Sequence, residues 1–138
     1  MSFVLDASVT LSWLFEDEQT AYTESILDYL YNSSAVVPTI WPLEIGNSMV
    51  VGERRGRVSI ARGEQFLRQL GDLPISVESV DLNRLFSSLL NIAREHQLSV
   101  YDASYLELAL RDGIPLASKD TRLCRGAQAL GVPLVVEV

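Results

Sequence analysis

Gly113-Ile114-Pro115-Leu116-Ala117-Ser118-Lys119-Asp120-Thr121 is the stretch whose reading decides the fold. The glycine ends a helical pattern in a left-handed turn. The proline opens a short apolar strand, where its missing N–H matters least. A polar residue then starts another helix near Thr121. Gly131-Val132-Pro133-Leu134 repeats that order, and Gly71…Pro74-Ile75 is a looser copy, so each reads as a helix-to-strand connection. Phe3-Val4-Leu5 and Ala35-Val36-Val37 are further short apolar runs of buried-strand type. Helices are predicted from Ala7 to Phe15, Thr20 to Tyr31, Ser59 to Leu70 and Val100 to Arg111. Another starts at Pro42, read as a first-turn proline, and ends in the Gly52-Glu53-Arg54-Arg55-Gly56-Arg57 turn. Leu82, Leu85, Phe86, Leu89, Leu90 and Ala93 recur at helical spacing and predict a single core-facing face. Strands alternating with helices predict one α/β domain over residues 1–138, with a mainly parallel sheet and helices on both faces.

The 138 residues are 48% hydrophobic, which suits a packed core and argues against a disordered tail. No apolar run reaches transmembrane length, and the first residues lack the basic-then-apolar pattern of a signal peptide. The lone Cys124 has no internal disulfide partner, which suits a reducing, cytoplasmic setting. The net charge of −7 opposes nucleic-acid binding over the whole surface. It stays acidic even with four carboxylates assigned to metal, so a basic groove has to be local.

Four acids stand out, each with a plainer explanation beside it. Asp6 follows the first strand and suits a helix N-cap. Glu44 follows Pro42 and suits the positive end of a helix dipole. Asp102 lies three residues after Ser99, as in a capping box. Asp120 precedes a helix and suits a cap. Together they change the balance. The carboxyl edge of a parallel sheet is where ligands bind, and all four are expected at helix starts along it. Carboxylates converging there would repel one another, and Mg²⁺ or Mn²⁺ is the usual remedy for an all-oxygen set.

At these residues the chain resembles the PIN-domain ribonucleases, and most of all the toxin half of bacterial VapBC toxin–antitoxin modules. The matching segments are Val4-Leu5-Asp6-Ala7-Ser8, Pro42-Leu43-Glu44-Ile45, Val100-Tyr101-Asp102-Ala103-Ser104-Tyr105 and Leu116-Ala117-Ser118-Lys119-Asp120-Thr121-Arg122-Leu123. Ala129-Leu130-Gly131-Val132-Pro133-Leu134 closes the series. The likeness runs over essentially the whole chain, and its specificity lies in the joint order and spacing. It implies a PIN-like sandwich of helices around a parallel sheet, Mg²⁺ or Mn²⁺ dependence, RNA cleavage, a homodimer and a small antitoxin partner. It carries the catalytic and metal-binding roles onto Asp6, Glu44, Asp102 and Asp120. Asp6, Asp102 and Asp120 would be ligands, direct or through water. Glu44 would be a ligand or the base that deprotonates the attacking water.

Other residues keep two readings. Ser8 and Thr121 offer hydroxyls beside Asp6 and Asp120, for a metal-bound water, a phosphate oxygen or a helix cap. Arg54, Arg55, Arg57 and Arg62 form the dense basic stretch, for RNA phosphates, a solvated turn or a dimer contact. Trp13, Phe15 and Trp41 suit a core or an interface, with Trp13 and Phe15 the candidates for a protein-binding groove. His96 lies near a helix end, and Cys124 packs within a helix. Two rival functions remain open at this stage. A haloacid-dehalogenase-like phosphohydrolase would also use Asp6, but Ser8 stands where that chemistry wants a second Asp. A non-enzymatic binding module would use the acids only as caps.

Overall fold

Phe3, Val4 and Leu5 are all completely buried. Successive strand residues point to opposite faces, so this strand must be covered on both sides. It is β1 (Ser2–Leu5) of a computed structural model that describes residues 1–136. The chain continues through α1 (Ala7–Ser12), α2 (Ala21–Leu30), β2 (Ser34–Pro38), α3 (Ile40–Arg54), α4 (Ile60–Gly71) and β3 (Ile75–Glu78). It then forms α5 (Leu82–Arg84), α6 (Leu90–Glu95), α7 (Val100–Asp112), β4 (Leu116–Ala117) and α8 (Thr121–Leu130). The sheet is parallel, with strand order β3-β2-β1-β4. Helices flank it, making the expected α/β domain.

That strand order creates a switch point. The chain builds outward from β1 to β3, then returns to the other side of β1 to lay down β4. The β1–β4 seam is therefore the crevice where an open parallel sheet binds ligands. Leu5 pairs with Ala117, and the Asp6 N–H donates to the Ala117 carbonyl at 2.9 Å. Asp6 and Asp120 thus leave the sheet side by side.

Several local expectations shift. The first helix stops at Ser12, not Phe15, and a 3₁₀ turn follows at Glu16–Glu18. The third helix begins at Ile40, so Pro42 is still in its first turn but Glu44 lies beyond it. Gly113 (φ 66°) and Gly131 (φ 74°) are left-handed caps as expected. Gly71 is instead the last residue of α4, and Asp72 caps it in a right-handed conformation.

The largest difference is in the predicted helix from Leu82 to Ala93. A π-helical turn over Leu85–Leu89 separates α5 from α6. One extra residue in a turn rotates the following face by about 100°. Leu89, Ile92 and Ala93 are buried, but Leu82 and Phe86 are 67% and 64% exposed. The apolar spacing therefore serves two faces. This segment is tied down by a buried charge. Glu107 on α7 is 3% exposed and accepts from Arg84 Nη1 and Arg111 Nη2, both at 3.1 Å. Arg111 Nη1 also donates to the Ser79 carbonyl at 3.0 Å, which fixes the approach to α5. No helix of the described residues is long and apolar enough to cross a membrane.

Candidate active site

Asp6 has the backbone of an N-cap, but its side chain makes no capping hydrogen bond. Its Oδ2 instead accepts from the Ser8 hydroxyl at 2.6 Å and the Ser118 hydroxyl at 2.7 Å. The plainer explanation therefore fails for this residue. Oδ1 has no hydrogen-bond partner among the described residues and reaches solvent. Burial pushes the Asp6 carboxyl up from its ordinary value, the two serines hold it down, and Asp120 and Asp102 push it up again.

Asp120 does cap its helix. Its Oδ1 accepts from the Arg122 and Leu123 N–H groups at 2.9 and 3.1 Å. That leaves Oδ2 free of protein hydrogen bonds among the described residues, so capping and ligation are compatible here. Asp102 stands in the first turn of α7, where its N–H donates to the Ser99 hydroxyl oxygen at 3.0 Å. Burial and the neighbouring Asp120 push its carboxyl up, while Ser99 and Arg122 hold it down. Glu44, one turn into α3, accepts from the Tyr105 hydroxyl at 2.7 Å through Oε1. Burial raises its carboxyl, Tyr105 opposes that, and Asp6 and Asp102 add to it. Asp6, Glu44 and Asp102 are each raised, and each feels at least one of the other acids. Their charges thus act on one another near the β1–β4 seam.

Two participants escaped the sequence reading. Ser118 is buried, and its Oγ both donates to Asp6 and accepts from the Asp120 N–H at 3.0 Å. It bridges the two acids. Thr121 is exposed, and its hydroxyl makes no hydrogen bond among the described residues. Tyr105 reads in sequence as one more apolar position on a core helix, yet it lies three residues after Asp102, on the same face of α7. Burial beside Asp6 and Glu44 pushes its phenol far up, so it stays protonated and donates.

The donor set fits a hard divalent cation. It is all oxygen, the acids bear on one another with Arg122 the cation that acts on Asp102, and Asp6 offers an unpartnered carboxylate oxygen. The fit is to an open site. Among the described residues no group of three or more His, Cys, Asp or Glu side chains is drawn together to enclose an ion. The tight convergence expected from sequence is thus not seen. Mg²⁺ needs only one or two carboxylates, because water and substrate phosphate complete its shell.

The arginine-rich turn is partly engaged with its own protein. Arg57 donates to Glu18 at 2.9 Å and Asp17 at 3.0 Å, and lies 4.0 Å over the Phe15 ring. Gly52 makes room for that ring, since a Cβ there would meet Phe15 at 2.9 Å. Arg62 donates to the Trp13 carbonyl at 3.1 Å. Arg54 and Arg55 are exposed and have no ion-pair partner among the described residues. Trp13 and Phe15 are 7% and 4% exposed. They are core residues, and Trp13 Nε1 donates to the Thr23 carbonyl at 2.8 Å. Trp41 is buried too and donates to Thr10 Oγ1 at 3.2 Å.

The family model of the PIN domain matches residues 3–128. The chain belongs to the PIN-domain family. PIN domains are nucleases, which sets aside the haloacid-dehalogenase-like alternative. Among curated protein sequences none matches this PIN domain significantly. Solved structures do. PAE2754 from Pyrobaculum aerophilum is 23% identical with a TM-score of 0.65, over 91% of this chain and 87% of that one. A toxin–antitoxin complex from Klebsiella pneumoniae holds a chain 12% identical, TM-score 0.65, over 99% of this chain and 98% of that one. VapBC2 from Rickettsia felis, bound to a promoter DNA fragment, gives 11% identity and a TM-score of 0.70 over 98% of both chains. At these identities the likeness is one of fold.

Proposed function

We propose that this PIN domain is a Mg²⁺- or Mn²⁺-dependent ribonuclease that acts in the cytoplasm as the toxin of a toxin–antitoxin pair. The observation that carries the proposal is Asp6. It is a buried carboxylate that caps nothing, held by two serines at the switch point of the sheet, with one oxygen free. The toxin–antitoxin complexes that share the fold support the second half of the reading.

Bound at these acids, the cation supplies an acidified water and offsets charge on the phosphate. Asp6, Asp102 and Asp120 would hold it, with Ser8 and Ser118 fixing Asp6 through Oδ2. Tyr105 orients Glu44 through Oε1, and Glu44 Oε2 takes the proton of the attacking water. The water oxygen bonds to phosphorus, the P–O3′ bond breaks, the leaving 3′ oxygen takes a proton from solvent, and the products are a 5′-phosphate and a 3′-hydroxyl. Arg54 and Arg55, at the far end of α3, contact RNA phosphates away from the cut.

A homodimer accounts for the exposed Leu82 and Phe86, which give α5 and the π turn an apolar outer face. A small antitoxin with an arginine directed at the acids would silence the site, because a guanidinium fork pairs with carboxylates. The test is expression in a bacterial host with sequencing of RNA ends. The wild type should arrest growth and create new 5′ ends. Asp120→Ala should do neither, although removing the cap costs α8 about 1 kcal/mol. Arrest by both versions, with no new RNA ends, would contradict the proposal.

A further inference from the structure

An open cleft of about 430 Å³ lies between the loop leading into α7 and α8, the helix that Asp120 caps. Its lining is His96, Gln97, Arg122, Arg125, Gly126 and Ala129, with no acid among them. In a chain of net charge −7 that is unusual. Most cations placed elsewhere are engaged. Arg57 and Lys119 pair with Glu18, Arg84 and Arg111 with Glu107, and Arg62 with a carbonyl. Arg122 and Arg125 are exposed and have no ion-pair partner among the described residues.

The cleft is built on the same elements as the acids. Arg122 lies two residues after Asp120 and its charge bears on Asp102. Arg125 follows at i+3, so the two guanidinium stems rise from neighbouring positions about 5–6 Å apart on one helix face. Gly126 lets α8 close against α7 and this loop, since a Cβ there would meet Leu106 Cδ1 at 2.9 Å and Leu98 Cδ1 at 3.5 Å. On the opposite wall, Gln97 adopts φ 53°, the one non-glycine residue with positive φ among the described residues. Gln97 ends α6 as a left-handed stop, closed by the Leu98 N–H donating to the Ala93 carbonyl at 3.0 Å, and this turn forms the wall.

We infer that this cleft seats a backbone phosphate of the RNA strand, held by Arg122 and Arg125, next to the phosphate that is cut. The inference rests on the ribonuclease reading and gives it a substrate track. Arginine forks suit phosphate oxygens, and two on one helix face hold a single phosphate from both sides or two in succession. An acidic protein thereby binds RNA through a short basic strip that starts at its active edge.

Cleavage of a single-stranded RNA oligonucleotide by the full chain with Mn²⁺ tests this. Arg125→Ala should raise KM roughly ten- to a hundredfold, as the loss of one charge-assisted contact does, with kcat within about twofold. It should also flatten the dependence of log K on log salt by about 0.7. Arg125→Lys should keep the salt dependence. Arg68→Ala, which removes another exposed charge on α4 with no ion-pair partner among the described residues, should leave KM unchanged. If Arg125→Ala and Arg68→Ala behave alike while the wild type cleaves RNA, the cleft holds no phosphate and the ribonuclease reading survives. If the wild type cleaves no RNA, that reading falls and takes the inference with it.

Discussion

Asp6→Asn is expected to lower RNA cleavage by roughly two to four orders of magnitude while leaving the protein folded. The size follows from the several kcal/mol that a bound cation contributes to a phosphoryl transition state, at about 1.4 kcal/mol per decade. The fold should survive because Ser8 and Ser118 keep an oxygen acceptor in the amide. Stability without metal should in fact rise near neutral pH. Burial and the neighbouring acids raise the Asp6 carboxyl. The native state therefore holds its proton more tightly than the unfolded chain does. Stability from this group is full below the unfolded carboxylate value and is lost as pH rises through the folded one. Asparagine has no charge to lose, so the gain appears above that window and vanishes at low pH. Thermal melts of both forms across the acid range check the sign. A variant that is inactive and also less stable near neutral pH would mean that Asp6 is structural.

The largest effect on stability is expected for Arg84→Ala/Arg111→Ala, at about 3–5 kcal/mol, because it strands the Glu107 carboxylate. Glu107 is 3% exposed, whereas the side chains of Arg84 and Arg111 are 47% and 21% exposed. The charge that cannot escape to water is thus the acid. Either single substitution leaves one partner and should cost clearly less. Urea unfolding of the three variants measures this, and additive losses would mean that the two arginines do not share Glu107.

How much was legible in the sequence follows from what sets each feature. Gly113 and Gly131 were readable because local sterics alone demand a left-handed residue there. Phe3 to Leu5 was readable because a strand buried on both faces needs an unbroken apolar run. Asp6 and Asp120 were readable as helix starts at one sheet edge, and the order β3-β2-β1-β4 places both at the seam. Leu82 and Phe86 misled because spacing shows that a face is apolar but not what covers it, and the π turn leaves no trace in composition. Glu44 was placed one turn too early because helix ends are the least determined part of a pattern. Ser118 and Tyr105 were missed for another reason. Their roles are contacts across 112 and 61 residues of chain, and no local rule reaches that far. Arg122 and Arg125 are spaced among apolar residues and stand out less in sequence than the denser Arg54–Arg57 run, where Arg57 is held by Asp17 and Glu18.

The most direct test of the account is calorimetric titration of Mn²⁺ into the metal-free protein near neutral pH. Wild type should bind Mn²⁺ and release protons as it does so, since ligands with raised carboxyl values must ionise to bind. Asp6→Asn should show little or no binding heat under the same conditions. Equal binding by the two proteins, or none by the wild type, would contradict the claim that these acids form a metal-dependent nuclease site.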